Sequence, residues 1–229
     1  MKKITTLAAL IIGFIASGQA LAGGSATLEV KAAIAPGACS VELPNASLEW
    51  DDINPESLNH HLYTDLPAKP LTLNVSCPAK MMFAVKAIDN AQTGIPPNGP
   101  EPSMKSNYFE LRPITPGKKA PIAGYSIKAL TVGSTADKAK ATAFVTFKNG
   151  KWNEKPDNAD YVYFPSSALG NDAALDISTS DSQTKYLRDS AMNKSFSLEI
   201  NPWIGPVPDV AWGNDVELKG SATFEVVYI

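Results

Sequence analysis

The sequence predicts an all-β fold of two packed sheets, and three observations carry that expectation. Apolar residues alternate with polar ones at period two in most of the structured-looking stretches. Eighteen prolines and fifteen glycines break the chain between those stretches. No stretch sustains an apolar period of 3.6 beyond about two turns.

Lys2 and Lys3 precede an apolar run from Ile4 to Ile15, and small residues lead on to Ala20-Leu21-Ala22. This is the pattern of a secretory signal peptide, residues 1–22, cut after Ala22. A transmembrane anchor is the other reading, but the run is shorter than the ~18 to 20 residues that span a bilayer. Removal of the signal leaves about 207 residues, enough for a substantial core. We expect one exported domain, 23–229, of about eight to ten strands, with long loops or insertions between about 90 and 210.

The first strand is expected over Ala26, Leu28, Val30, Ala32 and Ile34, which share one face, and it stops at Pro36-Gly37. "LTLNVSC" sets Leu71, Leu73, Val75 and Cys77 against Thr72, Asn74 and Ser76. "FAVKAI" (83–88), "YFELRPI" (108–114), "YSIKALTV" (125–132), "ATAFVTF" (141–147), "YVYF" (161–164) and "SFSLEI" (195–200) read as further strands. Residues 134–142, "STADKAKAT", read as a short helix or a polar loop. Asn149-Gly150 is a hairpin signal between Phe147 and Trp152. The last strand, from Ser221, places Ala222, Phe224, Val226 and Tyr228 on one face and Thr223, Glu225, Val227 and Ile229 on the other.

The net charge is −3, without a basic stripe, and falls to about −5 without the signal. Nucleic acid and anionic membrane surfaces are therefore poor partners, and no membrane insertion is expected. Cys39 and Cys77 are the two cysteines. In an oxidising compartment they are expected to pair, closing a loop of about 38 residues and stabilising by roughly 3 to 4 kcal/mol. Zinc needs further ligands, and His60 and His61 are adjacent in a polar stretch. A nucleophilic cysteine needs a histidine placed by the fold.

Common catalytic motifs are absent: no nucleophile elbow, P-loop, zinc-protease helix or dinucleotide-binding glycine pattern occurs. The acid pairs Asp51 with Asp52 and Asp157 with Asp160 read first as solvated loop residues rather than metal or sugar sites. We expect no enzyme, no cofactor and no metal. Trp203 and Trp212 bracket a Pro/Gly loop, where rings pack over a sandwich end or stack on a ligand. The triplets at Asn45, Asn74 and Asn193 match the glycosylation pattern and are read as chance.

The two ends of the mature chain resemble subunits of bacterial chaperone-usher fimbriae. "ATFEVVYI", with its penultimate Tyr228, is similar to the terminal strand of pilins, and Gly220 lies near the glycine of that motif, though at a different spacing. "AAIAPGACSVEL" resembles the first pilin strand with its cysteine, and Cys77 ends a strand as the second one does. The "APGAC" and "SC" contexts also resemble a group of exported fimbria-like β-proteins. The likeness covers 26–44, 71–88 and 216–229 and does not extend over 90–210.

The resemblance implies an immunoglobulin-like sandwich lacking its last strand, with a groove filled by a donated strand. The donor would be a periplasmic fimbrial chaperone or, after passage through the usher, another fimbrial subunit. Ala26, Leu28, Val30, Ala32 and Ile34 would then border the groove opposite Phe224, Val226 and Tyr228. Gly220, Phe224, Tyr228 and Ile229 would form the C-terminal motif that the chaperone recognises. One departure stands out: Gly23, Gly24 and Ser25 alone precede Ala26, which is too little for a donor arm. If Ala26–Ile34 is itself the donor, the first strand shrinks to the residues around Cys39. The competing expectation is a self-complete β-sandwich binding carbohydrate or a small ligand through Trp203 and Trp212, in the periplasm or at the cell surface.

Overall fold

The computed structural model describes residues 37–51, 53–90, 99–113, 123–154, 160–166, 173–180, 185–206 and 217–228. They belong to one compact unit, Pro36–Ile229. The signal segment 1–22, the strand expected over Ala26–Ile34, Trp212 and Ile229 lie outside the described residues.

In chain order the strands are β1 (Ser40–Glu42), β2 (Thr64–Asp65), β3 (Lys69–Met82), β4 (Ala84–Asp89), β5 (Tyr108–Pro113), β6 (Ala123–Ala136) and β7 (Ala139–Lys140). They continue as β8 (Ala143–Lys148), β9 (Lys151–Asn153), β10 (Tyr161–Tyr163), β11 (Ala174–Ser178), β12 (Ser190–Ile204), β13 (Leu218–Lys219) and β14 (Ala222–Val227). Short 3₁₀ segments occupy Pro55–Ser57 and Pro102–Asn107. Among the described residues the strands form two antiparallel sheets, so the all-β sandwich expected from the alternation is what the chain builds.

The larger sheet runs β1-β3-β12-β6-β5-β13, with β2 added to β12 and with β7 and β10 added to β6. The smaller runs β14-β4-β11-β8-β9. Long strands dominate the larger sheet: β12 pairs with β3 from Ser190↔Met82 to Ile200↔Lys69, and with β6 from Lys194↔Ala136 to Ile204↔Ala123. The alternation explains the layering, because Leu73, Val75 and Cys77 of β3 and Phe196 and Leu198 of β12 point at the other sheet and are buried. Val85 and Ala87 of β4, Phe144 of β8 and Leu175 and Ile177 of β11 meet them. The Phe144 and Phe196 rings stack across the layers at 6.3 Å.

The chain changes sheet at identifiable places. Only Phe83 separates β3 from β4, and Gly220-Ser221 separates β13 from β14. A Cβ on Gly220 would lie 2.8 Å from the Glu110 carbonyl oxygen and equally close to Leu111 and Tyr125, so the close approach demands glycine. A third crossing follows β10: the Phe164 N–H donates to the Ile127 carbonyl, and Ser166 then bridges to Ala87.

Asn149-Gly150 makes the expected two-residue hairpin, with Phe147↔Trp152 and Lys148↔Lys151 in register and positive φ at both turn residues. Residues 134–142 differ from expectation. They are neither helix nor loop but a second tight hairpin, with Ala136↔Ala139 paired around Asp137 and Lys138 at φ 45° and 74°. The Asp137 carboxylate accepts hydrogen bonds from the Met192 and Asn193 backbone N–H groups, both at 2.9 Å, and so fixes the turn onto β12. That tertiary clamp holds two side-chain-bearing residues in a left-handed conformation usually left to glycine or asparagine.

Candidate strand-acceptor edge

β14 ends its sheet. Its one partner among the described residues is β4, in the register Ala222↔Asp89, Phe224↔Ala87 and Val226↔Val85. Directly opposed residues of an antiparallel pair share a face, so Ala222, Phe224 and Val226 face the core as the sequence alternation requires. Thr223 and Glu225 face solvent, Glu225 within 2.9 Å of Lys86. Val85 and Ala87 are fully buried, whereas Ala222, Phe224 and Val226 beside them are only half-buried. No described strand lies along the other edge of β14.

The larger sheet ends on the same flank. β1 is its edge strand, paired with β3 through Val41↔Val75. The Cys39 N–H donates to the Tyr228 hydroxyl at 3.0 Å, which joins the start of β1 to the end of β14. Cys39 and Cys77 are bonded as the sequence led us to expect, and the disulfide ties the start of β1 to β3. A disulfide fits an oxidising, exported compartment. Among the described residues no helix is long and apolar enough to cross a membrane.

Tyr228 is 47% exposed and Val41 37% exposed, so large apolar side chains from both sheets meet solvent along this flank. Partial cover comes from within: the Phe164 ring meets Phe224 edge-on at 5.7 Å. Phe164 belongs to the internal crossing, which pairs with β6 and β4 but not with β14. The segment 160–166 therefore lends a ring to the inner face of β14 without pairing along its edge.

Trp203 does not project from the sandwich. It is 2% exposed and packs edge-on against Tyr63 at 5.3 Å and Tyr108 at 5.5 Å, the packing arrangement rather than the ligand-stacking one. A cleft of about 510 Å³ opens on the larger sheet beside β1, lined by Ser40, Asn74, Ser76, Thr135 and Ser195 together with the longer Glu42 and Lys138. It carries no tryptophan. Among the described residues no group of three or more His, Cys, Asp or Glu side chains is placed to hold a metal.

Sequence reasoning missed a charged cluster in the core. Lys194 Nζ lies 2.5 Å from Asp176 Oδ1, and Arg188 Nε lies 2.9 Å from Asp176 Oδ2. A signal existed for Lys194, which continues the inward phase of Phe196, Leu198 and Ile200. The chain matches no family model, and no curated protein matches it.

Proposed function

We propose that this chain is a non-enzymatic structural or assembly protein of the fimbrial-subunit type, exported and completed by a β-strand from another molecule. The observation that carries the reading is the half-buried inner face of β14, which stands at a sheet edge among the described residues, next to fully buried neighbours in β4. An edge strand with apolar side chains left partly in water is a template for strand addition. Backbone hydrogen bonds from an added strand would satisfy that edge, and alternate apolar side chains would cover Phe224 and Val226.

The donor in this reading is first a periplasmic chaperone, and then, beyond an usher, a neighbouring subunit. Tyr228 and Val41 mark the two lips of the receiving crevice. Gly220 serves the same end indirectly, since it lets the chain leave β13 and enter β14 at the required place. The resemblance of the chain ends to pilins agrees with this edge geometry, and burial of Trp203 removes one of the two rings on which a carbohydrate-binding reading relied.

Purification of the exported chain from the periplasm tests the proposal. A chaperone of the strand-donating type should travel with it, and the chain stripped of that partner should aggregate or melt at low temperature until the partner is restored. A solitary, soluble monomer with a sharp, high-temperature transition would refute it.

A further inference from the structure

Lys194 stands in β12, the strand of the larger sheet held between β3 and β6, and Asp176 stands in β11, the middle strand of the smaller sheet. Both side chains are fully buried. We propose that these two residues condense into an intramolecular amide, Lys194 Nζ to Asp176 Cγ, that rivets the two sheets together through their interiors.

The geometry holds the nucleophile in hydrogen-bond contact with the carboxyl group it would attack. Nζ lies 2.5 Å from Oδ1, with the carboxyl carbon one bond further on. The amine is aimed by the Phe83 carbonyl, which accepts from Nζ at 3.0 Å, and by the Phe83 ring, whose centroid is 4.3 Å away. On the acid, Oδ1 also accepts the Ile177 N–H at 2.7 Å, and Oδ2 accepts from Arg188 Nε at 2.9 Å. The Arg188 guanidinium is in turn held over the Trp152 ring at 4.0 Å.

These contacts assign the roles. Nζ attacks Cγ, forming the new C–N bond, and negative charge collects on Oδ2, where the permanently charged Arg188 stabilises it. The C–Oδ1 bond then breaks. Of the three protons of the ammonium group, two leave with Oδ1 as water and one remains on the amide nitrogen. No oxidant or other co-reactant enters.

Burial favours the reaction in two further ways. It pushes the Asp176 carboxyl up and the Lys194 amine down from their ordinary values, so both groups lean towards the uncharged forms that condense. It also makes the ion pair costly to keep, because two desolvated charges barely recover their hydration energy from mutual attraction. Condensation abolishes both charges and leaves the net charge of the cluster unchanged, with Arg188 hydrogen-bonded to the new carbonyl.

The intact mass of the purified exported chain, with its N-terminus determined, decides the matter. The expected value lies about 18 Da, one water, below that of the disulfide-bonded sequence. A digest should yield a branched peptide joining the segments that contain Asp176 and Lys194. Lys194→Met should restore the full mass. Arg188→Gln should leave a fraction of molecules unlinked, which a purely structural arginine would not do. If Lys194→Met does not fold, the wild-type mass and its branched peptide still decide. A wild-type mass lacking only the two hydrogens of the disulfide overturns the proposal, and so does a water-sized deficit mapped to any other residues.

Discussion

The centre of the sandwich and its β1/β14 flank are built from the same alternating sequence, yet they end in different states. At the centre, β12 has a strand on each side: Leu198 is paired with Leu71 of β3 and Ala129 of β6, and Leu198 and its inward neighbour Phe196 are buried. At the flank, Phe224 also points inward but, among the described residues, has a strand on one side only, β4, and it remains half-buried despite the Phe164 ring. The amphipathic pattern sets which way a side chain points. Completeness of burial is set by how many strands stand beside it, and that is where an added strand would matter.

The sharpest way to break this contrast is a paired truncation. Phe196→Ala should cost about 3 to 5 kcal/mol, because the transfer loss is joined by a cavity that stacked Phe144 cannot fill. Phe224→Ala should cost less, about 1 to 3 kcal/mol in the isolated chain, since its ring is only partly buried and its removal opens to solvent rather than leaving an enclosed cavity. Urea unfolding of the two variants measures both. Equal losses would mean that the flank is as closed as the centre.

Removal of the disulfide probes the flank from the other sheet. Replacing both cysteines by serine should lower stability by about 3 to 4 kcal/mol through the loop of 38 residues that the bond closes. The loss should fall on β1, whose tie to β3 near Val75 is otherwise a short ladder. Hydrogen exchange should therefore quicken at Val41 well before it quickens at Leu198. A uniform change across both sheets would show that β1 is not held separately.

How much of this was readable beforehand depended on the kind of strand. Half-exposed strands such as β3 and β14 announce themselves, because one face needs apolar residues and the other does not. The central strand β11 escaped notice, since all five of its residues are buried and "ALDIS" shows no alternation. Its Asp176 gives no local sign of burial, because the partners that satisfy the carboxylate, Lys194 and Arg188, lie 18 and 12 residues away. The edge position of β14 was suggested by resemblance rather than by periodicity, as strand order is decided by non-local pairing. The hairpin at Asp137-Lys138 was hidden for a related reason: its turn chemistry resides in the distant backbone of Met192 and Asn193.

That clamp provides the smallest of the expected effects and the one with a distinctive pH signature. The Asp137 carboxyl lies below its ordinary value, first because of the Asn193 N–H, then because of the Met192 N–H, with Lys80 at 3.6 Å adding attraction. A carboxylate depressed in the folded state stabilises at pH values above its unfolded pKa, and the contribution disappears as the pH falls through the lower, folded value. Asp137→Asn keeps the size and the left-handed tolerance of the turn residue but removes the charge. The variant should melt slightly below the parent at neutral pH, and the gap should close as the pH drops below about 4. A gap that persists unchanged into acid would mean that the turn is held by shape alone. Closure of the gap would identify the charge on Asp137 as what fixes the residues just before Lys194, and hence as part of what keeps the centre of the sandwich tighter than its flank.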